Sequence, residues 1–160
     1  MAFEVVGLYT YGTNNQGEIP ALWQAFIPRI GDIQDRARPG VTLGVCDHVD
    51  HFDAQVTAFG YLAGVEVKDG AKIPEGMEKI QVASQTYLVF THVGSTGDLE
   101  ETYQYIYGSY LFQSKAVLVD APDFEWYDHR FDGGVGQSEL DIYIPIAGLD
   151  SVDFDRVDGE

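Results

Sequence analysis

Two glutamates in the last third of the chain stand where a carboxylate could do chemistry. Glu125 lies between Phe124 and Trp126, and Glu139 precedes a run in which apolar residues alternate. A carboxylate beside aromatic rings can bind a delocalised cation, because charge pairing, cation–π contact and stacking act together. The alternative interpretation is a pair of glutamates on a solvated face of a β-sheet.

Strand alternation decides which side chains these glutamates would meet. Four apolar residues of the last strand share one face, which we assign to a core covered by helices: Leu140, Ile142, Ile144 and Ile146. On the preceding strand we expect Phe124 and Trp126 to face the same core. The other face of these two strands then carries candidate ligand-binding residues, and one tyrosine from each of two further strands and a tryptophan from the first helix join them. The predicted ligand-binding residues are Glu125, Tyr127, Glu139, Asp141, Tyr143, Tyr87, Tyr9 and Trp23.

A second arrangement stays open at this point. If the ligand lies between the helices and the sheet, Trp23 and Trp126 would line the site and Glu139 would not contribute. At its helical spacing, Trp23 most commonly belongs to the core.

The elements that would hold these residues occur twice in the same order. The first set is a strand in FEVVGLYTYGTNN, a helix in IPALWQAFIPRI that Pro28 should end or kink, and strands in VTLGVCDHV and TAFGYLAGVEV. After a linker with glycine and proline, the second set follows. It has one strand in IQVASQTYLVFTHVGS, a helix in DLEETYQYIYGSYLF, and strands in DFEWYDHRF and SELDIYIPI.

Matching positions in the two sets are separated by a nearly constant distance along the chain. Gly12 and Gly94 are 82 residues apart, Cys46 and Tyr127 are 81 apart, and Val65 and Ile144 are 79 apart. This pattern predicts one α+β domain over residues 1–148, made of pseudo-duplicated β-α-β-β halves at about 3–67 and 77–146. We expect one antiparallel sheet with two main helices on one face.

Glycines of the first half stand where the second half has candidate site residues. Gly44 matches Glu125, Gly60 matches Glu139, and Gly64 matches Tyr143. Strand glycines often mark close approach by a ligand or another backbone. One half would therefore supply carboxylates and rings, and the other half would supply space.

Composition restricts the classes of partner. The formal charge of −17, from 26 acidic and 9 basic residues, should repel phosphate backbones, so we expect no direct nucleic-acid binding. We also expect no membrane span and a cytoplasmic location, and the single cysteine, Cys46, should be a buried thiol. The acidic segment 149–160 is interpreted as a C-terminal tail.

Metal and cofactor binding are not expected. The stretch DHVDHFD contains His48 and His51, but a turn gives these side chains no fixed face and no second pair of ligands follows. A phosphate-binding glycine loop, a nucleophile elbow and a zinc helix motif are all missing from the sequence.

The segments YLVFTHVGS, YQYIYGSYL, PDFEWYDHRF and SELDIYIPI, in this order, resemble the gyrase-inhibitor-like (GyrI-like) small-molecule-binding domain. The resemblance covers about residues 3–146. It implies two α+β modules around a groove that binds bulky, often cationic, aromatic molecules through acidic and aromatic side chains. The same domain is the effector-binding part of bacterial multidrug-sensing transcription activators. Those activators carry a helix-turn-helix region before it, for which we expect no room here.

Three functions follow from these features. The leading hypothesis is sequestration or sensing of bulky hydrophobic compounds that are cationic or planar and aromatic. The second is hydrolysis of reactive cyclopropane-bearing cytotoxins, as the resemblance implies for some stand-alone members, with Glu125 or Glu139 as general base. The third is a protein-interaction role directed at gyrase or a regulator.

Overall fold

The computed structural model describes residues 2–12, 17–47, 59–110, 113, 117–119, 121–131 and 138–147. Seven strands form the sheet: β1 (Phe3–Gly12), β2 (Thr42–Asp47), β3 (Phe59–Val67), β4 (Glu78–Val82), β5 (Thr86–Val93), β6 (Asp123–Tyr127) and β7 (Glu139–Ile146). The main helices are α1 (Glu18–Phe26) and α2 (Leu99–Tyr105). The predicted tail at 149–160 lies outside the described residues.

Short helical segments flank both main helices. A 3-10 segment, Ile27–Asp32, follows α1 and contains Pro28, so the α-helix ends two residues before that proline, in agreement with the prediction. A 3-10 turn, Thr96–Asp98, precedes α2, and a π-helical turn, Ile106–Tyr110, follows it. No helix in the described part of the chain is both long enough and apolar enough to cross a membrane.

The strand order is β4-β1-β3-β2-β6-β7-β5, and every pairing is antiparallel. Read from the centre, β2, β3 and β1 mirror β6, β7 and β5, and the two halves meet where β2 pairs with β6. Both main helices pack on one face of the sheet, and Trp23 of α1 contacts the apolar clusters of both halves. The predicted α+β class and single antiparallel sheet are confirmed.

One predicted strand is in fact two strands at opposite edges of the sheet. We expected a continuous strand up to Gly94, but β4 ends at Val82 and β5 begins at Thr86. Four residue steps span at most about 14 Å, whereas the edges of a flat seven-stranded sheet would lie about 29 Å apart. The sheet is therefore strongly curved, which brings its two edges together.

Curvature gives the sheet a second core on the face that the helices do not cover. This concave core contains the buried residues Val5, Leu43, Val45, Leu62, Val82 and Phe124. Rings from both ends of the sheet meet there, with Phe3 and Tyr87 each edge-on to Phe124 at 5.6 and 5.3 Å between ring centroids. Both faces of the central strands are consequently buried.

Packing of the protein on itself explains two of the strand glycines. A Cβ atom at Gly64 would lie 2.6 Å from the Val6 carbonyl oxygen, so the β1 backbone occupies that space. A Cβ atom at Gly60 would collide with the hydroxyl of Tyr9. The predicted close approach is real at both positions, and the approaching group belongs to the chain itself.

Candidate ligand-binding site

The Glu125 carboxylate lies at the seam between the two halves, under the helices. On β6 it pairs with Gly44 of β2 and with Ile142 of β7, and it is 5% exposed. Three tyrosine hydroxyls donate hydrogen bonds to it: Tyr61 and Tyr127 to Oε1 at 2.8 and 2.7 Å, and Tyr103 to Oε2 at 2.6 Å. These four residues are called the tyrosine cage below.

Three different elements bring the cage together. Tyr127 shares a face with Glu125 because the two are two residues apart on β6. Tyr61 comes from β3, in register with Cys46 of β2, and Tyr103 comes from α2. The contacts between Tyr61 and Glu125 therefore depend on the joining of the two halves, since 64 residues separate them in the chain.

Trp23 of α1 closes the cage from above. Its indole Nε1 donates to the Tyr61 hydroxyl at 3.1 Å, and its ring stands edge-on to Tyr127 at 5.4 Å between centroids. The carboxylate is thus surrounded by hydroxyl donors and aromatic rings, and the Trp23 contact ties the first helix to the second half of the sheet.

Burial controls the ionisation of the cage. Desolvation raises the pKa of Glu125 above its ordinary value, while the three tyrosine hydrogen bonds act in the opposite direction. Burial, followed by the Glu125 charge, raises the pKa of Tyr61, Tyr103 and Tyr127 well above the ordinary tyrosine value. The tyrosines therefore remain protonated donors at any physiological pH.

The cage holds no basic side chain. Among the described residues, no lysine, arginine or histidine nitrogen lies within 4.0 Å of the Glu125 carboxylate. A buried carboxylate without a cation keeps most of its desolvation cost, which hydrogen bonds from neutral hydroxyls reduce only in part. A positively charged group beside Glu125 would offset the remaining part of that cost.

A second buried carboxylate, Asp123, lies two residues before Glu125 on the same face. It is 2% exposed, and the Tyr107 hydroxyl donates to its Oδ2 at 2.6 Å. Cys46 pairs with it in the β2–β6 register, and burial raises the pKa of that thiol well above its ordinary value. Cys46 is thus the buried thiol that we expected.

The structure divides the predicted site residues into three groups. Glu125 and Tyr127 belong to the cage, and Trp23 packs on it. Three tyrosines lie on the opposite, concave face, where they pack against its core: Tyr9, Tyr87 and Tyr143. Glu139 and Asp141 lie beside Arg130 at the start of β7.

The predicted orientation of β6 is wrong. Phe124 stacks on Tyr143 at 4.6 Å and packs in the concave core, and Trp126 lies on that face under the Arg38 guanidinium. Glu125 and Tyr127 therefore face the helices, on the side of the sheet opposite to Glu139. We took the aromatic pair for the helix-covered core because the sequence does not reveal that the curved sheet encloses a second core.

The carboxylates on the other side of the sheet are already paired. Arg130 forms two hydrogen bonds with Asp128, at 2.9 and 3.1 Å, and two with Asp141, at 2.7 and 3.2 Å. Thr91 also donates to Asp141, at 2.8 Å, and Glu139 lies 3.8 Å from Arg130 with 42% of its side chain exposed. This group is an ion-pair cluster that ties the β6–β7 connection to the sheet.

Sequence reasoning missed Tyr61 and assigned no role to Asp123. A signal for Tyr61 was present, since it alternates in phase with the buried Ala63 and Val65 on β3. Spacing along the second helix does not tell that Tyr103 and Tyr107 reach β6.

No cavity large enough for a ligand adjoins the cage in the described part of the chain. A shallow surface depression reaches Tyr61 between the start of α1 and the strands β1 and β3, and it does not enclose space for a water molecule. Within the part of the chain that the structure describes, no three His, Cys, Asp or Glu side chains are placed to hold one metal ion. His48 and His51 lie outside that part.

One family model matches nearly the whole chain. Residues 2–146 match the model of the family described as Cass2, integron-associated effector binding protein. The transcriptional regulator BrlR of Pseudomonas aeruginosa is 39% identical over 146 residues, which are 91% of this chain and 52% of BrlR. The chain thus spans about half the length of that curated relative.

Solved structures show the same fold. The structure of SAV2435 bound to tetraphenylphosphonium matches with a TM-score of 0.69 at 24% identity, over 92% of this chain and 90% of that one. An integron cassette protein from Vibrio cholerae matches with a TM-score of 0.59 at 16% identity, over 91% of each chain.

Proposed function

The chain belongs to the Cass2 family of integron-associated effector-binding proteins, which confirms the GyrI-like resemblance, and we propose that it binds bulky aromatic cations at the tyrosine cage. One observation carries this proposal. The buried Glu125 carboxylate accepts three tyrosine hydroxyls and has no basic partner among the described residues.

Physical chemistry favours a cation over a neutral ligand. A cation beside Glu125 would cancel a charge that burial makes costly, and it would do so where water screens the attraction little. The tyrosine and tryptophan rings add π faces, which attract delocalised cations and repel anions. A neutral ligand of the same shape would gain only the apolar and stacking contacts.

A protein with the same fold supports the same ligand class. SAV2435, which has the same fold, was solved with tetraphenylphosphonium, a bulky aromatic cation. In this chain the cage lies at the seam between the halves, and its own side chains fill it. A ligand would therefore have to move Tyr103 or Trp23 aside to reach the carboxylate.

Sequestration and sensing both fit such a site. BrlR is a transcriptional regulator about twice as long as the matched region. A regulatory role for this chain is therefore a proposal, and it depends on the partner through which the chain would act. The predicted cytoplasmic location and the gyrase-directed interaction remain predictions.

Hydrolysis is not favoured. Glu125 and Glu139 lie on opposite faces of the sheet and cannot act on one substrate together. Both oxygens of Glu125 already accept tyrosine hydroxyls, so a water would have to replace one of those donors before Glu125 could serve as a general base.

Isothermal titration calorimetry with tetraphenylphosphonium and the neutral triphenylphosphine oxide tests the proposal. We expect the cation to bind at least about tenfold more tightly, which corresponds to about 1.4 kcal/mol. A binder should also raise the melting temperature by mass action. Equal affinity for the two probes, or no binding of the cation, would contradict the proposal.

A further inference from the structure

Gly44 occupies a special position in the pairing of the two halves. It is the cross-strand partner of Glu125 where β2 meets β6. The separation of 81 residues that relates Cys46 to Tyr127 also relates Gly44 to Glu125. Gly44 and Glu125 therefore occupy equivalent positions in the two halves. They pair with each other where the halves meet, and Glu125 has a carboxylate where Gly44 has no side chain.

The Gly44 backbone does not require glycine. It is not among the described glycines with positive φ, so an L-amino acid could adopt its conformation without strain. Glycine inside a strand costs stability relative to alanine. A reason other than backbone geometry must therefore explain the glycine.

Space for the cage supplies that reason. A Cβ atom at position 44 would collide with the Tyr61 hydroxyl, and it would lie 2.6 Å from Tyr61 Cζ and 2.7 Å from Glu125 Oε1. The missing side chain thus leaves room for the Tyr61 donor and for the carboxylate oxygen that accepts it, at 2.8 Å from one another.

We infer that Gly44 determines the specificity of the site for cations, an inference that rests on the proposed function. Any side chain at position 44 would separate Tyr61 from Glu125 and move the carboxylate oxygen. The charge would then be poorly placed for a cation, whereas apolar and ring contacts from Trp23 and Tyr127 would persist. Gly44 acts through its neighbours, as a positioning residue.

Calorimetry on Gly44→Ala with the two probes tests the inference. We expect tetraphenylphosphonium to bind at least about tenfold more weakly and triphenylphosphine oxide to change by less than about threefold. Gly60→Ala is the matched control, because its new Cβ atom would collide with the Tyr9 hydroxyl in the same way but away from Glu125. It should leave both affinities unchanged.

A double-mutant cycle tests whether the effect passes through Tyr61. Tyr61→Phe removes the hydroxyl, which is the nearest of the three colliding atoms, and keeps Cζ and Glu125 Oε1. Adding Gly44→Ala to that variant should therefore weaken cation binding less than the same change does in the unchanged protein. Because the Tyr61 hydrogen bond lowers the pKa of Glu125, its loss should also move the midpoint of cation binding to higher pH in Gly44→Ala and in Tyr61→Phe.

The outcomes separate the inference from the proposed function. If the unchanged protein binds tetraphenylphosphonium and Gly44→Ala binds it equally well, the inference is overturned while the proposed function stands. A full tenfold loss in the Tyr61→Phe background would also overturn it. If the unchanged protein does not bind the cation, both fail.

Folding is checked by circular dichroism. If Gly44→Ala is unfolded but the double variant with Tyr61→Phe folds, the collision with the hydroxyl is established and the inference is supported. If neither variant folds, Gly44 is a requirement of the sheet itself and the inference is overturned.

Discussion

Replacing Glu125 by glutamine removes the charge of the cage and nearly keeps its shape. The amide oxygen can still accept a tyrosine hydroxyl, and the cage hydroxyls can rotate to accept from the amide nitrogen. Ring contacts from Trp23 and Tyr127 are untouched by the change. The variant therefore isolates the contribution of the negative charge to ligand binding.

The size of the effect follows from the burial of the carboxylate. Two unit charges 4 Å apart attract by about 4 kcal/mol at an effective dielectric constant of 20, and removing both ions from water offsets part of that. Net values for hydrogen bonds to charged groups are about 1.5–3 kcal/mol. We expect Glu125→Gln to weaken an aromatic cation by about 1–3 kcal/mol, which is about 5- to 150-fold in Kd.

Calorimetric titration at pH 7.5 with tetraphenylphosphonium and triphenylphosphine oxide measures this effect directly. The neutral probe should lose less than about threefold, since it does not use the charge. Asp141→Asn is a suitable control, because it removes one acidic charge on the opposite face of the sheet. Equal losses for both probes in Glu125→Gln would show that charge is not the determinant, and wild-type binding of both would show that the cage is not the site.

Stability, surface ion pairing and nucleic-acid binding give independent tests. Because the folded-state pKa of Glu125 is raised, its stabilising contribution is complete below its ordinary pKa of about 4.5 and is lost as pH rises through the raised value. Without ligand, Glu125→Gln should therefore have a higher melting temperature than wild type at pH 8. A lower melting temperature of the variant would refute the predicted direction of the change in stability. Arg130→Met, which breaks the pairs with Asp128 and Asp141, should cost about 1–2 kcal/mol in urea unfolding and less in 1 M salt, without changing cation affinity. A cost that does not depend on salt would argue against ion pairing there. Finally, the charge of −17 predicts no binding to duplex DNA, and a salt-sensitive gel shift at low micromolar protein would overturn that prediction.

Alternation and repetition in the sequence were sufficient for the fold class. The run from Leu140 to Ile146 alternates so regularly that its apolar face was assigned to the helix-covered core correctly. Two sets of segments at nearly equal spacing implied two β-α-β-β halves, and antiparallel pairing within one sheet followed from that order. These features are local or periodic, so they can be read without knowing which elements touch.

The position of Glu125 could be predicted only in part. The sequence shows that Glu125 lies among aromatic residues and that it shares one strand face with Tyr127. Alternation does not tell which of two faces meets the helices when both are buried, and on β6 both faces carry bulky side chains. The register of Phe124 against Tyr143 decides that question, and it is a property of two strands together.

Curvature of the sheet is the feature that only the tertiary structure decided. The break at residues 83–85 separates β4 from β5, which lie at opposite edges of the sheet. Three residues can connect the two edges only because the sheet bends around a second core and brings the edges close in space. The same bend turns Phe124 and Tyr143 inward on one side and leaves Glu125 to the helices on the other. Tyr61 reaches that carboxylate across 64 residues of sequence. The sequence determined that a carboxylate would lie among rings, and the long-range packing of the two halves decided which rings they are, because strand alternation fixes only the relative orientation of neighbours.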